Sequence, residues 1–500
     1  MRSLLGDYVL QHLQNEQTGT LHYRLFRCLR HAIVKGVVQP STRLPASRDL
    51  AQAIHVSRNT VLSAYDQLQA EGYVEAKTGH GTWVSSRIPD DFLSSLPSHI
   101  DNKREKMDEE EKYEISKRGQ CLIERASASP HQWGAFVPGV PDVMAFPHHI
   151  FQRIQTKQSK LPQIEQLIYS NTGGCFRLRT ALAQYLKVSR SVSCDADQII
   201  ITEGIHQGID LITRVLSDVG DLAWVEEPGY WGVKNNLSMN GLDVEPISIE
   251  SEGLYIPNSP QRLPSLIFVT PSHQYPLGPH LSIQRRKHLI KFARENKCWV
   301  VEDDYDSEFR FSGKPYPSLQ GLERNSPVIY MGTFSKTIYP ALRIGYVVAP
   351  KSLAPILRQA STELYRGGHT LLQNTLAEFI EEGHYEAHIR RMRLLYGKRR
   401  SYLIDLIFKY LGERFLHPYD NASGLHLVLK LPQSVDDTAL SEYAIQRGVK
   451  VRPLSQYYLN RHSACEKGLL LGFACVDEKN MFDAFTLLIE CLKKFNIPLK

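Results

Sequence analysis

Cysteine is sparse in these 500 residues, and the eight present (Cys28, Cys121, Cys175, Cys194, Cys298, Cys465, Cys475 and Cys491) are scattered without a CxxC pair. That spacing supports no disulfide framework, and with no local histidine cluster it supports no zinc site. No run reaches the ~18 apolar residues of a membrane span. The start, Met1-Arg2-Ser3-Leu4-Leu5-Gly6-Asp7, breaks off before the apolar stretch of a secretory leader could form. A chain working in a reducing cytoplasm is therefore expected, with neither secretion nor membrane insertion. Strong charge of one sign is missing as well, since +6 is mild for 57 kDa. Internal repeats and low-complexity tracts are absent.

What is present is ample apolar content, 42% over 500 residues. At roughly 100–200 residues per domain this predicts at least two globular units. The mild charge is also uneven, because residues 20–87 carry nine Lys/Arg against four Asp/Glu. A polyanion would be met there.

In that basic stretch Leu21, Leu25, Leu29 and Ile33 recur at helical spacing before a turn at 36–40. Ser47 is read as the N-cap of a helix over 48–54, and Ser57 opens a second helix running to Gly72. Tyr73-Val74-Glu75 and Thr82-Trp83-Val84 alternate like strands around a glycine-rich tip holding His80. The pattern predicts a helix-turn-helix with a two-stranded wing. Ser57, Arg58, Asn59 and Thr60 sit where a recognition helix meets base edges, Arg43 and Arg48 flank the turn for phosphates, and His80 suits the minor groove. Ser47 and Tyr65 complete the candidate DNA-binding set. Arg43-Leu44-Pro45-Ala46-Ser47-Arg48, Val56 to Val61, Tyr65, Glu71 to Val74 and Gly79 to Thr82 resemble a GntR-type winged helix. His55 stands where that family usually has glycine, in a left-handed turn.

Residues 88–134 turn polar, with Pro89, Pro97 and the charge run Asn102 to Lys112, and are read as a linker, partly helical. The expected organisation is a DNA-binding domain over 1–87, that linker, and an effector domain over 135–500. In the last, short β-like runs (Gln198 to Thr202, Leu266 to Val269, Cys298 to Glu302, Val328 to Met331) alternate with helical stretches, as in α/β folds.

One segment of it carries chemistry. In Gly332-Thr333-Phe334-Ser335-Lys336 two hydroxyls precede a lysine, and Arg343 follows seven positions later. A Schiff-base amine with hydroxyls and a guanidinium for a phosphate suits pyridoxal 5'-phosphate. Asp303 suits the pyridine nitrogen, Tyr305 the phenolic oxygen and Tyr230 the ring face. Gly204, Ile205 and His206 open a helix whose backbone N–H groups suit the phosphate, and Gln274 lies in a loop beside the ring.

In order and spacing, 136–500 resembles a fold-type I aminotransferase domain with a small C-terminal α+β subdomain. Joined to the winged helix, the whole is similar to MocR (GabR-like) transcriptional regulators. The resemblance implies an internal aldimine at Lys336, with Asp303 chosen over Asp304 because the family places the aspartate two positions before the tyrosine. Thr333, Ser335, Arg343 and the Gly204 to His206 turn would hold the phosphate. It implies a regulator sensing an amine, an amino acid or a B6 vitamer, and a head-to-tail homodimer on double-stranded promoter DNA. The alternative is an active aminotransferase with a DNA-binding tether. Two departures bear on the effector. Leucine stands at the arginine of the late Arg-x-x-Phe strand, in Gly468 to Phe473, and Gly232 replaces the arginine two residues past the stacking tyrosine in GABA-sensing relatives. GABA is therefore not favoured, and Arg452 is either the effector's carboxylate contact or a solvated arginine.

Overall fold

The computed structural model describes residues 2–15, 19–77, 81–86, 115–124, 132–160, 164–169, 173–257, 259–313, 316–323, 325–459 and 465–500. The chain divides into two compact units, Met1–Tyr113 and Glu114–Lys500.

Helical spacing builds the first unit. α1 (Arg2–Asn15), α2 (Leu21–Val34), α3 (Ser47–Ala53) and α4 (Arg58–Ala70) bury Val9, Leu25, Leu29, Leu50, Val61 and Leu68 in one core. Each such side chain contributes roughly 1.5–3 kcal/mol of transfer free energy. His55, between α3 and α4, has φ +55°, the left-handed turn its position requires. β1 (Val74–Lys77) and β2 (Gly81–Val84) pair antiparallel with Glu75 opposite Trp83, giving the wing; its tip residue His80 lies outside the described residues. Ser57 caps α4, its hydroxyl accepting from Thr60 N at 3.1 Å. The start of α3 differs from the sequence expectation. Ala46 is the N-cap, and Ser47 is the first helical residue, its hydroxyl accepting from Arg58 Nε at 3.3 Å.

The second unit is laid on an eight-stranded sheet with the order β3-β10-β9-β8-β7-β4-β5-β6. Its strands are β3 (Ile199–Thr202), β4 (Leu222–Glu227), β5 (Asp243–Glu250), β6 (Gly253–Leu254), β7 (Leu266–Val269), β8 (Trp299–Asp304), β9 (Val328–Thr333) and β10 (Gly345–Val348). The five from β9 to β5 run parallel, while β10 is antiparallel to both β9 and β3. β3, β7, β9 and β10 are buried throughout, as strands covered on both faces must be. A three-stranded antiparallel sheet follows: β11 (His426–Lys430), β12 (Arg452–Pro453) and β13 (Gly468–Gly472), with β13 central. Leu470, within the strand that would carry an Arg-x-x-Phe arginine, is fully buried in that sheet.

Upstream of the sheets, the helix Lys117–Glu124 belongs to this unit; Arg118 Nη1 donates to Met239 O at 3.2 Å. Among the described residues no helix is long and apolar enough to cross a membrane, and no cluster of His, Cys, Asp or Glu is built to hold a metal.

Candidate cofactor site and DNA-binding face

In an open α/β sheet the loops leaving the carboxyl ends of the strands converge, and here they bring the chemistry together. β3 leads to Gly204, β4 to Tyr230, β7 to His273, β8 ends at Asp303 and Asp304, and β9 leads to Ser335 and Lys336. β10 enters from the opposite direction, so Arg343, two residues before it, falls at the same edge.

Lys336 Nζ donates to Gly139 O at 2.8 Å. Burial, assisted by the positive charge of Arg452, lowers its pKa, while Asp306 and Asp303 oppose that. A deprotonated amine is the nucleophilic form.

The two neighbouring aspartates have separate tasks. Asp304 receives Arg190 Nε and the Tyr330 hydroxyl, each at 2.6 Å, in a fully buried network. Asp303 is 6% exposed and its Oδ1 has no hydrogen-bond partner among the described residues. Burial first, then Asp304, Glu226 and Asp306, push its carboxyl up to about 7. A buried carboxylate with an unanswered oxygen suits a cationic N–H.

The Tyr305 hydroxyl is hydrogen-bonded to His273 Nδ1 at 2.9 Å, and the same nitrogen lies 3.1 Å from Asp306 Oδ2. The Tyr230 hydroxyl meets His206 Nε2 at 2.8 Å, and burial, Arg343 and Lys336 lower the histidine's pKa. Neutral His206 thus holds the tyrosine ring in place. A Cβ on Gly232 would come within 2.5 Å of that ring and 2.8 Å of His206, so the position admits no side chain while Tyr230 stays put.

The guanidinium of Arg343 stands over Gly204, about where a Cβ would fall (3.1 Å to Cζ), and Nη2 donates to Glu203 O at 2.8 Å. Gly204, at φ +81°, is the N-cap of the helix Ile205–Leu216, so helix N-terminus and arginine face the same spot. Thr333 Oγ1 accepts from Ser335 N at 3.2 Å. Arg452 is half-buried, and its charge acts on Tyr230, Tyr275, Tyr457 and Lys336.

Gln274 lies in the loop that follows β7. It is 1% exposed; its amide nitrogen meets Pro228 O at 2.8 Å and Tyr275 O at 2.7 Å, and its oxygen accepts from Leu277 N. Its capacity is spent tying loops together. Gly139 and the His273–Asp306 pair escape the sequence reading, although both lie in stretches that stand out for other reasons. An acid three positions past Asp303 is the available signal for the pair.

On the first unit, Ser57, Arg58 and Asn59 are exposed at the start of α4, with Arg43 and Arg48 exposed beside them and Thr60 half-buried. Tyr65 does not belong with them: it is 6% exposed and its hydroxyl donates to Pro45 O at 3.0 Å.

Residues 22–84 match the family of bacterial regulatory proteins, gntR family, and residues 147–484 match aminotransferase class I and II. The chain is 37% identical to the probable rhizopine catabolism regulatory protein MocR of Rhizobium meliloti, covering 94% of this chain and 93% of that one. It is 31% identical to the pyridoxine biosynthesis transcriptional regulator PdxR of Corynebacterium glutamicum, covering 96% and 97%. Among solved structures, kynurenine aminotransferase of Pyrococcus horikoshii aligns with a TM-score of 0.65 at 25% identity, over 77% of this chain and 95% of that one. Two domains, one expected at each end of the chain, are thus matched independently. The chain belongs to the MocR-type transcriptional regulators, in which a GntR-family DNA-binding domain is joined to an aminotransferase-fold domain that carries pyridoxal 5'-phosphate.

Proposed function

We propose that this regulator senses an amine, an amino acid or a B6 vitamer at Lys336 and converts the event into a change at promoter DNA in the cytoplasm. The observation that carries the reading is the convergence of a buried amine of lowered pKa with a buried carboxylate whose Oδ1 is unanswered. Pyridoxal 5'-phosphate, when bound, supplies a carbonyl that condenses reversibly with primary amines. The residues fit it. Asp303 would hold the ring nitrogen, and its excess of acidic neighbours gives it reason to take a cation. Tyr305, oriented by His273, would face the phenolic oxygen, and Tyr230, held by His206, would cover the ring. Arg343, Thr333, Ser335 and the Gly204 to His206 turn would hold the phosphate. Lys336 would hold the carbonyl, and Arg452 would receive an acidic group on an incoming amine.

Ligand binding shifts any pair of states for which it has different affinity, and here the states differ in DNA binding. Ser57, Arg58, Asn59, Thr60, Arg43 and Arg48 form the face that meets the duplex. A homodimer is supported by Met144, Ile164, Leu167, Ile168, Tyr169 and Phe176, each at least 60% exposed, the kind of apolar surface a partner covers.

The test follows the visible absorption of purified protein and its operator binding as candidate amines are added. Wild type is expected to be coloured, to change spectrum with one class of amine, and to change operator affinity in parallel without sustained keto-acid release. Lys336→Ala is expected to lose both responses. A variant that keeps both sinks the reading, and continued keto-acid production would make the protein an enzyme.

A further inference from the structure

We propose that the backbone carbonyl of Gly139 is the seat that receives Lys336 once an amine has displaced it, and that the strained segment around Gly139 reports this to the chain leading toward the DNA-binding unit. The inference rests on the reading of Lys336 given above. Its observation is the 2.8 Å bond from Lys336 Nζ to Gly139 O, which joins positions 197 residues apart. Gly139 has φ +69°, and a Cβ there would lie 3.0 Å from Nζ, so glycine both permits the turn and keeps the approach open.

The segment bearing Gly139 is anchored on both sides. Phe136 is fully buried and has φ +67°, a conformation costly for a bulky residue that persists only where the surroundings impose it. Here Gly472 N donates to Phe136 O at 3.1 Å, and a Cβ on Gly472 would lie 2.0 Å from Val137 O, so the strap is pressed against the end of β13. Lys450 Nζ donates to Trp133 O at 2.7 Å on its upstream side. Downstream, Asp142 N donates to the Tyr396 hydroxyl at 2.8 Å and Asp142 accepts from Arg399 Nη2 at 3.0 Å. Between these anchors stands the carbonyl that Lys336 meets. Upstream of Trp133 the chain continues through residues 125–131 to the helix Lys117–Glu124 and then to the first unit.

Displacement gives the contact its timing. An incoming amine takes over the carbon–nitrogen double bond to the cofactor, and its two protons pass to the lysine nitrogen, which leaves as a free amine with N–H groups to donate. A nitrogen still tied into the double bond cannot supply that amine to Gly139. Two positions of one side chain thus correspond to two states of the strap, and Gly139 acts as a positioning residue.

The test uses full-length protein carrying its cofactor and needs no knowledge of the effector. Borohydride reduction fixes Lys336 permanently to the cofactor carbon, whereas hydroxylamine takes the carbonyl and leaves Lys336 as the free amine. Hydrogen exchange is measured by mass spectrometry on peptides covering 132–142 and 115–124. The hydroxylamine form is expected to exchange about fivefold more slowly than the reduced form over 132–142, the factor one hydrogen bond confers on local opening, with a change of rate also at 115–124. In Gly139→Ala the two forms are expected to exchange alike while the spectrum still responds to hydroxylamine. Equal exchange in the two wild-type forms, with the spectrum showing that the cofactor reacted, overturns the proposal alone. A spectrum indifferent to hydroxylamine overturns the reading of Lys336 and this inference with it.

Discussion

Replacing Asp303 by asparagine should move stability and cofactor retention in opposite directions. In the cofactor-free protein this carboxyl is buried beside Asp304, Glu226 and Asp306 and titrates near 7 rather than 3.8. Raising a carboxyl that far disfavours its ionised form by about 4 kcal/mol. The unfolded chain ionises it above pH ~4, while the folded chain keeps it protonated up to about 7, so the penalty grows across that window and is complete above it. The asparagine side chain has no charge to lose, so Asp303→Asn should gain stability without cofactor, with a gain at pH 8 roughly two to three times that at pH 5. Cofactor binding should suffer, because a charge-assisted bond to the ring nitrogen becomes a neutral one, a loss of about 1–1.5 kcal/mol. That corresponds to cofactor held roughly 5- to 10-fold more weakly. Thermal unfolding of cofactor-free protein at the two pH values, together with cofactor titration followed by absorbance, reads both effects. A variant that holds cofactor as tightly as wild type, or that is less stable at pH 8, would refute the assignment of Asp303 and with it the physical basis for preferring it to Asp304.

The other expectations are simpler. Arg190→Met strands Asp304 in the interior next to Glu302 and Glu308, and should cost about 3–5 kcal/mol in urea denaturation, since breaking one side of a buried pair leaves an uncompensated charge. Ser57→Ala removes the bond to Thr60 N and should cost about 1 kcal/mol; operator affinity measured by fluorescence anisotropy should fall while the cofactor spectrum stays unchanged. Gly232→Arg forces a Cβ to within 2.5 Å of the Tyr230 ring, so it should displace Tyr230 from His206 and alter the cofactor spectrum, and titration with GABA should show no new binding.

The parts of this architecture legible in the sequence are those whose determinants are local. Apolar runs such as Ile199 to Ile201 and Leu266 to Val269 have no polar side to show solvent, so they declare buried strands on their own. Ser57 declares a cap because its partner, Thr60, is three residues away. Ser47 misleads for the same reason inverted: its hydroxyl is engaged by Arg58, eleven residues on, and the helix starts one position earlier than a serine cap would have it. Tyr65 invites a DNA-contacting role through its hydroxyl, yet it lies on the face of α4 shared with Val61 and Leu68, and the hydroxyl needs only one backbone carbonyl. In the second unit, the preference for Asp303 comes from its spacing to Tyr305 and the resemblance, whereas the physical difference between the two aspartates comes from 114 residues upstream, where Arg190 engages Asp304 and not its neighbour.

Glycines show most clearly why the remainder could not be read ahead of the fold. Gly424 has φ +80°, and a Cβ there would lie 2.1 Å from His273 Cε1 and 2.9 Å from Asp306 Oδ2. The missing side chain is what lets the histidine approach Asp306 and Tyr305 together. Gly204 makes the same allowance for Arg343, and Gly232 for Tyr230 and His206. Three site contacts are therefore set by missing side chains from segments distant in sequence, and a glycine alone does not state which neighbour it accommodates. The same logic places Gly139 and Gly472 on either side of the Phe136 strap: one leaves room for the lysine, the other for the backbone of Val137. A bulky residue held at positive φ between two such clearances is kept there by its surroundings. Such a residue keeps its conformation only as long as those surroundings impose it.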